Sequence, residues 1–162
     1  MKQKIKERKE LLGIIKDLKA KGKRIVFTNG CFDLLHIGHV RYLEEAKALG
    51  DVLVIGVNSD TSVRELKGPK RPILPEEERA EILSGLGCVD YVTLFDEIDP
   101  LKLITSVRPD VLVKGGDWAK EQIVGKEAVE RSGGEVFIIP FVKKASTSNL
   151  IETILKRYEK SA

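Results

Sequence analysis

The sequence predicts an α/β fold: a doubly wound, parallel, five-stranded sheet with helices on both faces. Three observations predict it. Five short β-branched runs recur, at 24–28, 52–57, 91–94, 111–113 and 136–139. Helix-like segments separate them, at 40–49, 76–86, 100–107 and 124–131, and a last one spans 147–158. The short runs are apolar along their length, as strands covered on both faces are. Right-handed crossovers then favour a Rossmann-like sandwich.

Taken in chain order, residues 5–20 read as a helix. Ile5, Leu11, Leu12, Ile15 and Leu18 form an apolar stripe in a charged background, and Gly22 is a stop signal. This charged N-terminal helix, 1–22, precedes the domain proper, 23–162. Its stripe suits packing on its own domain or across a homodimer. The run at 24–28 is the first strand, and the helix at 40–49 follows a glycine-bearing loop. The stretch 59–74 shows no clear structure. It carries Arg64, Lys67, Lys70 and Arg71 among Gly68, Pro69 and Pro72, and a loop that long in a compact domain is usually functional or mobile.

At 162 residues the chain is large enough for one real core. A net charge of +3 is too small to mark a nucleic-acid binder. No apolar run approaches the roughly 20 residues of a membrane span. The N-terminus is charged and lacks the apolar core of a signal peptide. Cys31 and Cys88 are the only cysteines, without metal-site spacing, so a reduced, cytoplasmic setting is expected.

The most informative stretch is Thr28-Asn29-Gly30-Cys31-Phe32-Asp33-Leu34-Leu35-His36-Ile37-Gly38-His39, which holds the only two histidines. It lies between a strand and a helix, where α/β proteins bind phosphate: at a strand's carboxyl end, facing a helix N-terminus. An isolated histidine there would read as an ordinary core or surface residue. Two of them, three apart around a glycine, can both face an anion. A second candidate is Ala145-Ser146-Thr147-Ser148, whose hydroxyls open the last helix. It reads either as a simple N-cap or as part of an anion site.

The run GCFDLLHIGH resembles the GxFDxxHxGH signature of the cytidylyltransferase-like nucleotidyltransferases. HIGH alone also occurs in class I aminoacyl-tRNA synthetases, but this chain is far too short for one. The 145–148 segment looks like that family's serine–threonine turn on the β- and γ-phosphates. Narrower similarity, to the adenylyltransferases of ADP-heptose synthesis, comes from VNSD at 57–60, LKG at 66–68 with Arg71-Pro72, VKGGDW at 113–118 and GGEV at 133–136. In many bacteria that activity is the C-terminal domain of a bifunctional protein, behind a sugar kinase.

The resemblance implies transfer of AMP from ATP to a heptose 1-phosphate, with Mg2+ accompanying ATP and pyrophosphate leaving. It implies catalytic roles for His36, His39 and Lys67, or for Lys70 or Arg71 of the same loop. It implies phosphate contacts from Asn29, Gly30, Cys31, Phe32, Gly38, Ser146, Thr147 and Ser148. Substrate contacts fall to Asp33, Arg71, Lys114, Gly115, Asp117 and Trp118. Asp33 also suits a structural part, accepting backbone N–H bonds. Arg79 suits either the site or helix-surface pairing. A separate sugar kinase is expected on another chain, and no nucleic acid or membrane partner. Related enzymes of the glycerol-phosphate type carry RYVD where this chain has Cys88-Val89-Asp90-Tyr91. The arginine that helps read cytosine is missing, which points to ATP. FMN adenylyltransferase, glycerol-3-phosphate cytidylyltransferase and a non-catalytic nucleotide-binding regulator are the alternatives.

Overall fold

The computed structural model describes residues 2–116, 122–140 and 146–158. A 3-10 turn at Lys2–Lys4 leads into α1 (Arg8–Ala20), β1 (Ile25–Gly30), α2 (Ile37–Lys47), β2 (Val52–Asn58), α3 (Asp60–Lys67) and α4 (Glu76–Ser84). Then follow β3 (Tyr91–Phe95), α5 (Leu101–Val107), β4 (Val111–Gly115), α6 (Lys126–Arg131), β5 (Glu135–Ile139) and α7 (Thr147–Tyr158). The five strands are parallel, in the order β3-β2-β1-β4-β5.

Alternate residues of each strand point to opposite faces, and the core divides accordingly. Ile25, Phe27, Val54 and Leu112 meet Leu11 and Ile15 of α1, Leu103 and Ile104 of α5 and Val129 of α6. Val26, Leu53, Ile55 and Val113 meet Leu43 and Ala46 of α2 and Ala80 and Leu83 of α4. Each fully buried aliphatic side chain of this kind contributes about 1.5–3 kcal/mol. The predicted doubly wound sandwich is therefore the observed one.

The winding turns back at β1. The chain runs outward from β1 to β2 and β3, then crosses to β4 and β5 on the other side. β1 pairs with β2 from Ile25↔Val52 to Gly30↔Val57. It pairs with β4 only at Val26↔Val111 and Phe27↔Leu112. Beyond those pairs the two strands fork at their carboxyl ends. Tyr42 of α2 reaches into the fork: its hydroxyl lies 2.6 Å from Thr28 Oγ1 and donates to the Val113 carbonyl at 3.1 Å.

The largest differences from the sequence reading lie at the N-terminus and in the 59–74 stretch. The helix predicted over 5–20 begins at Arg8. Ile5 instead forms a parallel bridge with Val92, and the Lys6 N–H donates to the Val92 carbonyl at 2.8 Å. The segment ahead of α1 thus lies along the outer edge of β3, where Ile5 packs against the second core face. The stripe on α1 packs on its own domain, with Leu11 wholly buried. The stretch read as structureless, 59–74, contains α3. Ser59 caps it, accepting the Ser62 N–H at 3.3 Å, and Asp60 lies in its first turn. Only Val63 of its apolar residues is buried, so it has no stripe to announce it. No helix among the described residues is long and apolar enough to cross a membrane.

Candidate active site

The fork between β1 and β4 is the topological switch point, and a crevice there is where open α/β sheets bind ligands. Asn29 and Gly30, read from sequence as loop, are the last residues of β1. Phe32 then takes a φ of 45°. A bulky residue in that left-handed region costs on the order of 1 kcal/mol. Burial of its ring, packed against His39 at a centroid distance of 5.4 Å, holds it there. A side chain at Gly30 would press on the same ring, at 3.1 Å from Phe32 Cε2.

His36 is the N-cap residue of α2, and Gly38 and His39 lie in its first turn. The helix starts earlier than the predicted 40–49, which puts both histidines at its positive end. Their rings stack, with centroids 3.9 Å apart and planes inclined by 22°. Nδ1 of each is buried and has no hydrogen-bond partner among the described residues. Burial, then the neighbouring His36, pushes His39 down to about 4, and burial lowers His36 as well. Two neutral imidazoles with unpaired ring nitrogens at a helix N-terminus are suited to accept a proton and an anion together.

Asp33 and Arg71, expected to meet substrate, satisfy each other. The Arg71 Nε donates to Asp33 Oδ2 at 2.5 Å. The Ile73 and Leu74 N–H groups donate to the same carboxylate at 2.8 and 3.0 Å. Burial raises the Asp33 carboxyl, but the N–H bonds from Leu74 and Ile73 and the Arg71 contact outweigh it, so it ends below its ordinary value. Asp33 is thus the structural pin of its alternative reading, and it fastens the 68–74 loop to the β1–α2 loop. The Arg71–Pro72 peptide in that loop is cis.

Arg79 is neither a free site residue nor a surface pair. It is 1% exposed and donates to the Leu74 carbonyl at 3.0 Å, the Cys31 carbonyl at 2.5 Å and Asp60 Oδ1 at 2.7 Å. One guanidinium thereby ties three chain segments together, a use for which its planar fork is suited. Cys31 is a free thiol raised by burial, with Lys67, Arg79 and Arg71 pulling it back. Lys67 ends α3 with an exposed side chain.

On the other prong of the fork, Lys114 and Gly115 end β4. The Lys114 ammonium donates to Asn29 Oδ1 at 2.5 Å, which joins two candidates 85 residues apart. Ser146 caps α7, its Oγ accepting the Asn149 N–H at 3.1 Å. Thr147 Oγ1 donates to the Leu34 carbonyl at 3.3 Å and so brings the start of α7 to the histidine loop. Ser148 is exposed. Asp117 and Trp118 lie outside the described residues. Tyr42 was missed in the sequence, although a tyrosine three residues after His39 shares its helix face and a buried hydroxyl needs a partner.

A family model described as cytidylyltransferase-like matches residues 27–155. The bifunctional protein HldE of Trichlorobacter lovleyi is 57% identical over 155 residues, 96% of this chain and 32% of that protein. HldE of Geobacter metallireducens is 59% identical over the same shares. The chain spans about a third of the length of these curated relatives. The crystal structure of a lipopolysaccharide core biosynthesis protein from Thermoplasma volcanium is 34% identical with a TM-score of 0.63, covering 76% of this chain and all of that one. Motif, topology and matched length agree: the chain belongs to the cytidylyltransferase-like family.

Proposed function

We propose that this chain is a nucleotidyltransferase that moves AMP from ATP to a heptose 1-phosphate and releases pyrophosphate. The observation that carries the reading is the stacked His36–His39 pair at the start of α2, with both Nδ1 atoms unpartnered. The choice of heptose rests on the high identity to the HldE proteins and on the lipopolysaccharide core protein. The relatives are named bifunctional, and we take a sugar kinase to be the second activity, lying outside the matched third.

The attacking group is an oxygen of the sugar phosphate. A phosphate monoester is largely ionised at pH 7, since its second pKa is near 6, and no general base is needed. The new bond joins this oxygen to the α-phosphorus, and the bond from that phosphorus to the bridging oxygen of pyrophosphate breaks. The protein's work is to hold two anions together and to stabilise charge on the leaving group. His36 and His39 donate to phosphate oxygens through their ring N–H groups, and the charge of the anion favours their imidazolium forms. Ser146 and Thr147 hold the distal phosphates at the start of α7, and Lys67 closes over them from α3. Mg2+ enters with ATP, carried by phosphate oxygens and water. Among the described residues no group of three or more His, Cys, Asp or Glu is gathered to hold a metal.

Pyrophosphate release tests the reading. ATP, CTP and GTP are crossed with heptose 1-phosphate, glycerol 3-phosphate and FMN, with Mg2+ present. Release with ATP and heptose 1-phosphate is expected. Release only with CTP and glycerol 3-phosphate overturns it.

A further inference from the structure

We propose that Arg8 is a positioning residue for the crevice: its bidentate pair with Glu97 fixes residues 96–99, and through them the start of α5, as the wall beside Asn29. The proposal rests on the nucleotidyltransfer reading above and adds a residue that lies outside the strand–loop–helix motif altogether. Arg8 closes an arm that runs along the outer edge of β3. Lys4 Nζ donates to the Val89 and Leu86 carbonyls, ahead of that strand, at 2.7 and 3.2 Å. Ile5 and Lys6 meet Val92 within it. Arg8 then reaches just past its carboxyl end: Nη1 donates to Glu97 Oε1 at 2.9 Å and Nη2 to Oε2 at 2.7 Å.

What the pair holds is a segment with little else to hold it. None of residues 96–99 is buried, and Ile98 is 52% exposed. Lys102 lies 3.9 Å from Glu97, with its own side chain largely in solvent. Yet this segment joins β3 to α5 beside the crevice. At its near end the Phe95 carbonyl accepts the Ser59 N–H at 2.9 Å. At its far end Asp99 Oδ1 accepts the Leu101 N–H at 2.7 Å, where α5 starts. α5 sits directly on the sheet next to β1: a side chain at Gly56 would stand 3.0 Å from Leu103 Cδ2 and 3.4 Å from Asn29 Cβ. Burial pushes the Lys114 amine down to about 8 and the Asp99 charge pulls it back, so the charge of this segment is felt in the fork. A surface ion pair contributes little to stability. A bidentate one fixes direction as well as distance, and a misplaced wall costs rate far more than it costs folding.

The test uses the whole chain. Arg8→Gln and Glu97→Gln each break the pair, and Arg8→Glu/Glu97→Arg remakes it reversed. Lys6→Gln, which breaks an ion pair with Glu10 on the same arm, is the control. Pyrophosphate release from ATP and heptose 1-phosphate, ATP affinity by calorimetry and the melting temperature are measured for each. We expect both single variants to melt within about 4 °C of the wild type and to lose about fivefold or more in kcat/KM. The reversed pair should recover most of that loss, and the control should behave as the wild type. Where heptose proves the wrong acceptor, the wild type binds ATP without turnover, and the same pattern in ATP affinity then supports the pair. Unchanged kcat/KM and ATP affinity in the single variants overturn the proposal, as does a wild type that neither turns over nor binds ATP. It is overturned as well by a loss that the reversed pair leaves uncorrected, by one that Lys6→Gln matches, or by one that appears only with a larger fall in melting temperature.

Discussion

Acid should destabilise this protein in a window that belongs to its histidines. His39 takes its proton near 6.5 when exposed in the unfolded chain, but only near 4 in the folded one. Unfolding therefore takes up a proton between those pH values. The stabilisation is complete above 6.5 and is lost as pH falls towards 4. At pH 4.5 the loss from His39 is about 2.5 kcal/mol, and His36, lowered in the same direction, adds to it. The window is clean because the chain has only two histidines. The carboxylates of Asp33 and Glu97, also lowered, begin to lose their contribution only near their ordinary values of 3.8 and 4.5, at the acid foot of this window. Urea unfolding at half-unit steps from pH 7.5 to 4.5 measures the slope, in the wild type and in His36→Gln/His39→Gln. The wild type should lose about 2–3 kcal/mol and the double variant almost none. Saturating pyrophosphate should flatten the wild-type slope, because an anion beside the rings favours the imidazolium. An unchanged slope in the double variant would refute the reasoning, and so would a wild type that does not weaken with acid.

Four further outcomes follow from the same contacts. Asp33→Asn leaves Arg71 without its carboxylate and should cost about 3 kcal/mol, lowering the melting temperature by about 6–12 °C; a cost under about 1 kcal/mol would rule out the pin. Tyr42→Phe strips the hydroxyl shared by Thr28 and the Val113 carbonyl, and should cost about 1–3 kcal/mol in urea unfolding while weakening pyrophosphate binding; wild-type stability and binding would remove Tyr42 from the fork. Leu11→Ala should cost about 2–5 kcal/mol, since Leu11 is wholly buried. Deleting residues 1–21 should then yield a chain that fails to fold cooperatively in near-UV circular dichroism, and a well-folded truncation would contradict this.

The parts legible in the sequence were those that local chemistry writes down. β-branched runs marked the strands because a strand covered on both faces has to be apolar throughout. The histidine loop stood out because a strand, a glycine, two imidazoles and a helix follow one another without a gap. Ser146 was readable as a cap because its hydroxyl serves an N–H three residues on. The parts that stayed hidden depend on partners far away in the chain. Arg79 begins a helix among glutamates and looks like a surface residue. Only the fold brings the Cys31 and Leu74 carbonyls and Asp60 to its guanidinium. Arg71 looked free for substrate because nothing nearby in sequence claims it, and Asp33 lies 38 residues away.

The same distinction bears on what the site is made of. Asp33, Arg79 and Tyr42 are all occupied with other parts of the protein, and each ties a loop or strand to the carboxyl end of β1. His36 and His39 have unpaired ring nitrogens at that same end, and the Lys114 ammonium there meets the neutral amide of Asn29. A rigid frame of satisfied polar groups around a few unsatisfied ones is the arrangement electrostatic catalysis requires, since donors fixed in advance need not reorganise when charge develops. On that view, loss of Asp33 or Tyr42 and loss of His39 or Lys114 should differ in kind. The first pair should lower stability and turnover together, and the second should lower binding or turnover at a stability held or raised near pH 7. A variant series in which activity tracked melting temperature for all four positions would show that the division between frame and site is false.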